Sequence, residues 1–106
     1  MNSIDRIVNH AEVSEKAIER HLVKRCAEIG LPCLKYSNPS MVGYPDRIIV
    51  LPAGRVVWVE LKSRGKHISA VQRVRINQLE GLRHAVHVID NLKDADNLLA
   101  KIAQKL

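Results

Sequence analysis

Aromatic residues and cysteines are scarce in this sequence. Its 106 residues include no phenylalanine, one tryptophan and two tyrosines, so we do not expect stacking of nucleic-acid bases on aromatic side chains to be a main theme. The two cysteines, Cys26 and Cys33, form no CxxC motif and are too few for a disulfide framework. We expect both thiols to be buried, reduced and structural.

Long apolar runs are also missing. No stretch approaches the ~20 apolar residues that a transmembrane helix needs. The first residues, MNSIDRIVNHAEV, lack the charged start and the apolar stretch of a secretory signal. These absences predict a cytoplasmic protein with no membrane partner.

Acidic residues are outnumbered, with 11 Asp and Glu against 17 Lys and Arg and a net charge of +6. This excess favours a polyanionic partner such as nucleic acid. The alternative is a basic cytosolic protein with no such partner. The hydrophobic fraction of 46% indicates a globular chain, and its length favours one domain. We expect a lead-in over residues 1–13 and a single domain over residues 14–106.

Hydrophobic periodicity and turn residues predict seven elements. Helices are expected over residues 14–29, over 69–82 and from 92 onward, and strands over 33–36, 46–51, 55–62 and 84–90. The order α-β-β-β-α-β-α predicts an α/β or α+β fold with a sheet flanked by helices. The apolar residues of the last helix, which include Leu92, Leu99, Ile102 and Leu106, could cover the sheet or form a subunit contact.

The second and third strands are predicted to form a hairpin around a three-residue loop. Pro52 suits the first position of a type I turn, and Gly54 suits the left-handed position that follows it. Leu51 then pairs with Arg55. In this register Ile48 lies opposite Trp58, and the position of Asp46 lies opposite that of Glu60.

Two carboxylates directly across a ladder would repel one another. Lys62 projects from the same face as Glu60, because side chains alternate along a strand, but one lysine cannot balance both acids. A divalent cation with hard oxygen ligands, Mg²⁺ or Mn²⁺, would remove the conflict. The alternative is a hairpin end that frays into solvent, where these charges cost little.

Other polar residues near the apolar faces have two interpretations each. Glu19 borders the apolar stripe of the first helix, where it could belong to the site or pair with a nearby Arg or Lys. Gln72 stands three residues after Ser69, the spacing of a capping box. Trp58 is expected to pack under the first helix. His84 and His87 are three apart in a predicted strand and point to opposite faces, which excludes a simple shared ligand site.

The combination of Asp46, Glu60-x-Lys62 and a preceding helical glutamate resembles the PD-(D/E)XK nuclease superfamily. The stretch GYPDRIIVLPAGRVVWVELKSRGKHISAVQ is most similar to its virus-type replication-repair nuclease (VRR-NUC) branch, which has a G-x-P-D, E-x-K and downstream Gln pattern. In that pattern the first glycine falls on Gly43. The segment IERHLVKR also resembles the first helix of archaeal Holliday junction resolvases, whose glutamate falls on Glu19.

This resemblance implies a restriction-endonuclease-like αβββαβα core that hydrolyses DNA phosphodiesters. It implies that Asp46, Glu60 and the backbone carbonyl of Leu61 hold Mg²⁺ or Mn²⁺. Lys62 is then expected to orient or deprotonate the attacking water. Glu19 would bind a second metal or an outer water, and Gln72 would point at the site in addition to capping its helix.

The resemblance also implies branched DNA, such as a four-way junction, as substrate, a homodimer, and a bacterial or phage-infected cell as the setting. The segment 62–75 contains no acid, and its cations would follow the DNA backbone: besides Lys62 these are Arg64, Lys66, Arg73 and Arg75. A solvated loop is the alternative. Flap or nick processing, unspecific DNA degradation and DNA binding without cleavage remain alternative functions.

Overall fold

The computed structural model describes residues 14–106, and the predicted lead-in lies outside the described residues. The elements are α1 (Glu15–Glu28), β1 (Cys33–Lys35), β2 (Arg47–Val50), β3 (Val56–Leu61), α2 (Ala70–Gly81), β4 (Ala85–Ile89) and α3 (Leu92–Gln104). They form one sheet in the order β1-β2-β3-β4. The first three strands are antiparallel neighbours and β4 runs parallel to β3. The predicted α+β class and αβββαβα order are confirmed.

Each helix begins at a side-chain cap. Ser14 accepts a hydrogen bond from the backbone N–H of Ala17 at the start of α1, and Asn91 accepts one from Asp94 at the start of α3. These oxygens satisfy N–H groups that have no partner within a helix. Gly30 follows α1 with a φ of 74°, the left-handed conformation in which glycine commonly ends a helix.

The hairpin has the predicted register. Ile48 pairs with Trp58, and the backbone N–H of Leu51 donates to the carbonyl of Arg55 at 2.9 Å. The predicted turn type is wrong. Gly54 is left-handed as expected, with a φ of 71°, but Ala53 also has a positive φ of 62°, whereas a type I turn has negative φ at both central positions.

One face of the sheet carries the hydrophobic core. Val57, Val59 and Leu61, which alternate along β3, point to this face and pack with the buried residues of α1 and α3. Those helical residues are Ile18, Leu22 and Cys26 from α1, and Ala95, Leu98, Leu99 and Ile102 from α3. Of the two roles predicted for the last helix, α3 therefore has the first, because it covers the sheet. Leu106, which follows the helix, is 56% exposed.

The other face of the sheet carries the polar residues and the aromatic rings. Trp58 packs here, with ring centroids 5.4 Å from Tyr36 and 6.1 Å from Tyr44, and its indole N–H donates to Nδ1 of His84. The expectation that Trp58 lies under the first helix is wrong, because α1 packs against the odd-numbered residues of β3. His84 immediately precedes β4, and His87 within β4 points to the opposite face.

Cys26 is buried and Cys33 is half-buried, and both are free. The hydrogen bond that the Cys26 thiol donates to Cys33, together with burial, raises the pKa of Cys26. Cys26 is thus a small core residue, as expected, whereas Cys33, which was also expected to be buried, is only half-buried. Within residues 14–106, no helix combines the length and apolar character required to cross a bilayer.

Candidate active site

Asp46 is placed by the loop between β1 and β2. Gly43 in this loop has a φ of 99°, and a Cβ there would lie 3.1 Å from both Cγ2 and the carbonyl oxygen of Val71 on α2. Glycine is therefore required for the loop to lie this close to the helix. Pro45 is fully buried. The glycine and the proline of the G-x-P-D pattern thus fix the backbone that leads into Asp46.

The carboxylate of Asp46 is anchored to β3. Its Oδ2 accepts a hydrogen bond from the backbone N–H of Leu61 at 3.0 Å. The backbone carbonyl of Asp46 accepts a second one from the backbone N–H of Tyr36 at 2.8 Å. Asp46 stands one residue before β2, so the ladder ends at Arg47, opposite Val59. The register therefore brings Asp46 to the end of β3 that carries Glu60.

Glu60 is a buried carboxylate with a strained electrostatic environment. The residue is 2% exposed. Burial and the negative charge of Asp46 raise the pKa of Glu60 to about 7, against the opposing effect of Lys62. The Nζ atom of Lys62 lies 3.6 Å from Oε2 of Glu60, so these two side chains share a face as predicted. The other oxygen, Oε1, is buried and has no hydrogen-bond partner among the described residues.

Gln72 makes both of the contacts that the sequence left open. Its Oε1 accepts from the backbone N–H of Ser69 at 2.8 Å, which completes the capping box at the start of α2. Its Nε2 donates to Oε2 of Glu60 at 3.0 Å. Because the cap fixes the amide oxygen, the amide nitrogen is held toward Glu60. The helix start and the orientation of the buried carboxylate are therefore coupled through one side chain.

Glu19 makes an ion pair with Arg47, the first residue of β2. Its Oε2 lies 3.1 Å from Nε of Arg47, and both side chains are largely buried, at 20% and 16% exposure. Arg47 also donates to the carbonyl of Cys33. This contact corresponds to the alternative in which Glu19 pairs with a nearby arginine.

Glu15, which sequence reasoning missed, is electrostatically coupled to the site. Its negative charge contributes to the raised pKa of Glu60. Glu15 is the first residue of α1 and lies one turn before Glu19 on the same side of the helix. The spacing of four residues was the signal that could have identified it as the other candidate for the helical glutamate.

The basic residues of the predicted DNA-contacting run differ in their surroundings. Arg64, Lys66 and Arg73 are exposed. Arg75 donates to the carbonyl of Val42 at 2.9 Å, and its guanidinium lies 5.1 Å from the centre of the Tyr44 ring. The first three cations are therefore free to contact phosphate, whereas Arg75 also ties α2 to the loop that positions Asp46.

Asp90 directly follows β4, at the same end of the sheet as Glu60. Its Oδ2 accepts from the backbone N–H of Gly65, and the backbone N–H of Lys62 donates to the carbonyl of Ile89. Hydrogen bonds from Asn91 and Gly65 hold the pKa of Asp90 below its usual value. Asp90 thus fixes the loop that carries Arg64. The predicted strand 84–90 included this residue without indicating its role.

The donor set at this end of the sheet suits a hard divalent cation bound by few protein ligands. Among residues 14–106 no cluster of three or more His, Cys, Asp or Glu side chains is arranged to hold a metal ion. Asp46 and Glu60 supply two carboxylates, and Mg²⁺ is commonly held by one or two carboxylates together with water and substrate phosphate. The unpartnered, buried Oε1 of Glu60 is the atom that such an ion would satisfy.

Comparison with solved structures identifies the class of the fold. The chain is similar to a structure described as "VRR_NUC domain", with a TM-score of 0.75 and 23% sequence identity, over 81% of this chain and 94% of that one. The fold is therefore that of a VRR-NUC domain, as its sequence pattern had predicted. No family model matches the sequence.

Comparison with curated proteins identifies the family. The chain is 33% identical over 90 residues to "Putative nuclease p44" of Acyrthosiphon pisum secondary endosymbiont phage 1, which covers 85% of this chain and 96% of that protein. The chain belongs to the VRR-NUC family of nucleases.

Proposed function

We propose that this chain is a metal-dependent endonuclease that hydrolyses phosphodiester bonds in branched DNA. The observation that carries the proposal is the pair of carboxylates at the ends of β2 and β3. Glu60 is buried with one oxygen unpartnered, and the charge of Asp46 raises its pKa. A fold that keeps this repulsion without a ligand loses stability, which is expected at a site built for a cation.

Asp46 and Glu60, with the backbone carbonyl of Leu61, are the groups that would hold Mg²⁺ or Mn²⁺. When bound, the ion would supply positive charge to the scissile phosphate and make water more acidic. Asp46 is fixed by its hydrogen bond from the Leu61 backbone, and Glu60 by the Gln72 amide. The two carboxylates are therefore oriented before substrate arrives, which lowers the cost of assembling the site.

Lys62 is the proposed positioning group for the attacking water. Its side chain is 18% exposed and its Nζ lies 3.6 Å from Oε2 of Glu60, so Lys62 is accessible both to the carboxylates and to solvent. Three donors on one nitrogen allow it to contact a water and a phosphate oxygen together. Its positive charge also offsets the charge that develops on the phosphate. Glu15 and Glu19 are the candidates for an outer water or a second ion.

Exposed cations next to the carboxylates support DNA as the substrate. Arg64, Lys66 and Arg73 lie on the β3–α2 loop and on the first turn of α2. Contacts from such residues to phosphate position a nucleic acid without reading its sequence. Recognition of DNA shape at a branch is therefore the proposed source of specificity.

The test is cleavage of a labelled synthetic four-way junction, with flap, nicked and plain duplex substrates in parallel, in Mg²⁺, Mn²⁺ or EDTA. We expect cuts only with a metal ion, and most rapidly on the junction. Asp46→Asn should abolish cutting while leaving binding nearly intact. Asp96→Asn, on α3 beside His21, is the matched control and should cut normally. Metal-independent cutting, or cutting by Asp46→Asn at the wild-type rate, would refute the site; preference for flaps or nicks would replace the junction as substrate.

A homodimer is part of the proposal, because two copies related by a twofold axis match the symmetry of a four-way junction. Sedimentation velocity at the concentration used for cleavage measures this directly. A preformed symmetric cutter requires a species of about twice the chain mass of 11.9 kDa. Sedimentation of the single chain alone would exclude it.

A further inference from the structure

A basic cavity lies at the end of the sheet opposite the carboxylates. It has a volume of about 520 Å³ and lies between the hairpin turn, the start of β4 and the last turns of α3. Within β3 the cavity is lined by Val56 and Val57, and none of Asp46, Glu60 and Lys62 lines it. Glu60 lies three residues beyond Val57, roughly 10 Å at ~3.3 Å per residue, and its side chain points to the opposite face of the sheet. The cavity is therefore a second site and not an extension of the first.

The walls of the cavity combine four permanent positive charges with apolar surface. The cations are Arg55, Arg83, Lys101 and Lys105, and all four are exposed. No Asp or Glu is among the residues that line it. Burial and the positive charge of Lys101 lower the pKa of His87, which also lines the cavity. Such a set of cations favours an anionic ligand.

Arg83 is held at the cavity in an unfavourable backbone conformation. It follows the end of α2 with a φ of 67°, in the left-handed region that side chains with a Cβ rarely adopt. This position after a helix is one where glycine is the common residue. An arginine here destabilises the fold relative to glycine, and its side chain lines the cavity. A local conflict of this kind is typical of a functional position.

We infer that this cavity binds an unpaired nucleotide of the DNA substrate, at a distance from the bond that is cut. The volume lies within the range of about 300–1,000 Å³ that is usual for small-molecule pockets. Leu98 and Ile102 give it an apolar wall, against which a base can pack, while the cations contact the flanking phosphates. A duplex backbone requires only a charged surface, so the concave, partly apolar shape favours a single strand. The inference rests on the proposed function, because it assigns the second contact to the same DNA.

The test uses fluorescence anisotropy of labelled DNA in EDTA, where cutting does not interfere. Wild type is compared with Arg83→Gly and with Lys101→Gln/Lys105→Gln. The matched control is Lys24→Gln, an exposed charge on α1. The ligands are a single-stranded oligonucleotide, a blunt duplex of the same sequence and the free mononucleotide. Melting temperatures accompany every variant.

We expect Arg83→Gly to bind the single strand on the order of tenfold more weakly, as for one lost charge-assisted contact. For this variant, the slope of log affinity against log salt concentration should become less steep by about 0.7. Its melting temperature should be unchanged or higher. The double variant should lose more affinity, and Lys24→Gln almost none. Tight binding of the free mononucleotide would assign the cavity to a free nucleotide instead of DNA. Equal losses of affinity for single strand and duplex would assign its charges to general backbone contacts. Either result would overturn the assignment.

The two proposals fail in different ways. The inference alone is overturned if wild type binds and cuts DNA but the cavity variants bind single strands as tightly as Lys24→Gln does. The proposed nuclease function would then stand. A wild-type protein that neither binds nor cuts DNA in metal would overturn both. Loss of folding in Arg83→Gly, seen as a lower melting temperature, would contradict the conformational argument for Arg83.

Discussion

The buried carboxylate of Glu60 should make the metal-free protein less stable as pH rises. Its pKa is about 7 in the folded chain, against 4.5 as the ordinary value. Between these two pH values the folded state holds a proton that the unfolded chain has released. Because the folded state binds more protons, the free energy of unfolding falls as pH increases through this window. The stability is fully present below about pH 4.5 and is lost above about pH 7.

The size of the effect follows from the difference between the two pKa values. One pKa unit corresponds to about 1.4 kcal/mol, so ionisation of Glu60 costs the folded state about 3 kcal/mol at pH 8. The residue is 2% exposed, so solvent does little to screen this cost. For a domain of this length, the loss corresponds to a fall in melting temperature on the order of 10 °C.

Thermal unfolding of wild type and Glu60→Gln in EDTA, at pH 5 and pH 8, measures this effect. Glutamine keeps the shape of the side chain but cannot ionise, so the difference between the two proteins removes the contribution of titrating groups that do not interact with Glu60. We expect Glu60→Gln to be the more stable protein at pH 8 and to approach wild type at pH 5. Glu80→Gln, an exposed glutamate on α2, should follow wild type at both values.

The result that would refute this reasoning is a pH dependence in Glu60→Gln that runs parallel to that of wild type. Glu60 would then ionise near its ordinary value, and its burial and its coupling to Asp46 would carry no energetic cost. Addition of Mn²⁺ at pH 8 provides a second check. It should raise the melting temperature of wild type, because a ligand that binds only the folded state stabilises it, and it should leave Glu60→Gln unchanged.

Three further predictions concern the neighbours of Glu60. Gln72→Glu retains the capping box but places a second carboxylate against Glu60, so the metal-free variant should match wild type at pH 5 and melt at a lower temperature at pH 8; equal melting at pH 8 would contradict the contact. Glu19→Gln should lower stability by about 1–2 kcal/mol, because it breaks the ion pair with Arg47, and should change the cleavage rate little. Glu15→Gln should slow cleavage and change stability little. The reverse pattern would assign the role of the helical glutamate to Glu19. At neutral pH, Asp46→Asn should raise the stability of the metal-free protein by about 1 kcal/mol because it relieves the repulsion from Glu60, while its amide oxygen can still accept from the β3 backbone. An unchanged or lower melting temperature would argue against crowded carboxylates.

The fold and the ends of β2 and β3 were predictable because local rules determine them. The capping box at Ser69 and the glycine after α1 mark helix ends through hydrogen bonds within a few residues. The three-residue loop sets the hairpin register, and this register brings Asp46 to Glu60. The turn type was not predictable in the same way, because the positive φ of Ala53 is unusual for a residue with a Cβ.

Contacts that depend on which elements cover each face were harder to predict. Period-2 alternation correctly places Trp58 on the same face of the sheet as Glu60. It does not predict that α1 packs on the opposite face. The partner of Glu19 is Arg47, 28 residues away and on a strand, so no local spacing identifies it. The basic cavity is assembled from the hairpin turn, the α2–β4 connection and the end of α3, and its charges are dispersed along the sequence.

The central proposal is that Asp46 and Glu60 together coordinate one divalent cation. Anomalous diffraction from crystals soaked in Mn²⁺ at pH 8 tests it directly. We expect a peak within about 2.0–2.6 Å of one oxygen from each carboxylate, with Oε1 of Glu60 among them, and no such peak in crystals of Asp46→Asn. A wild-type map with manganese elsewhere, and with the Glu60 oxygen still unpartnered, would contradict the account.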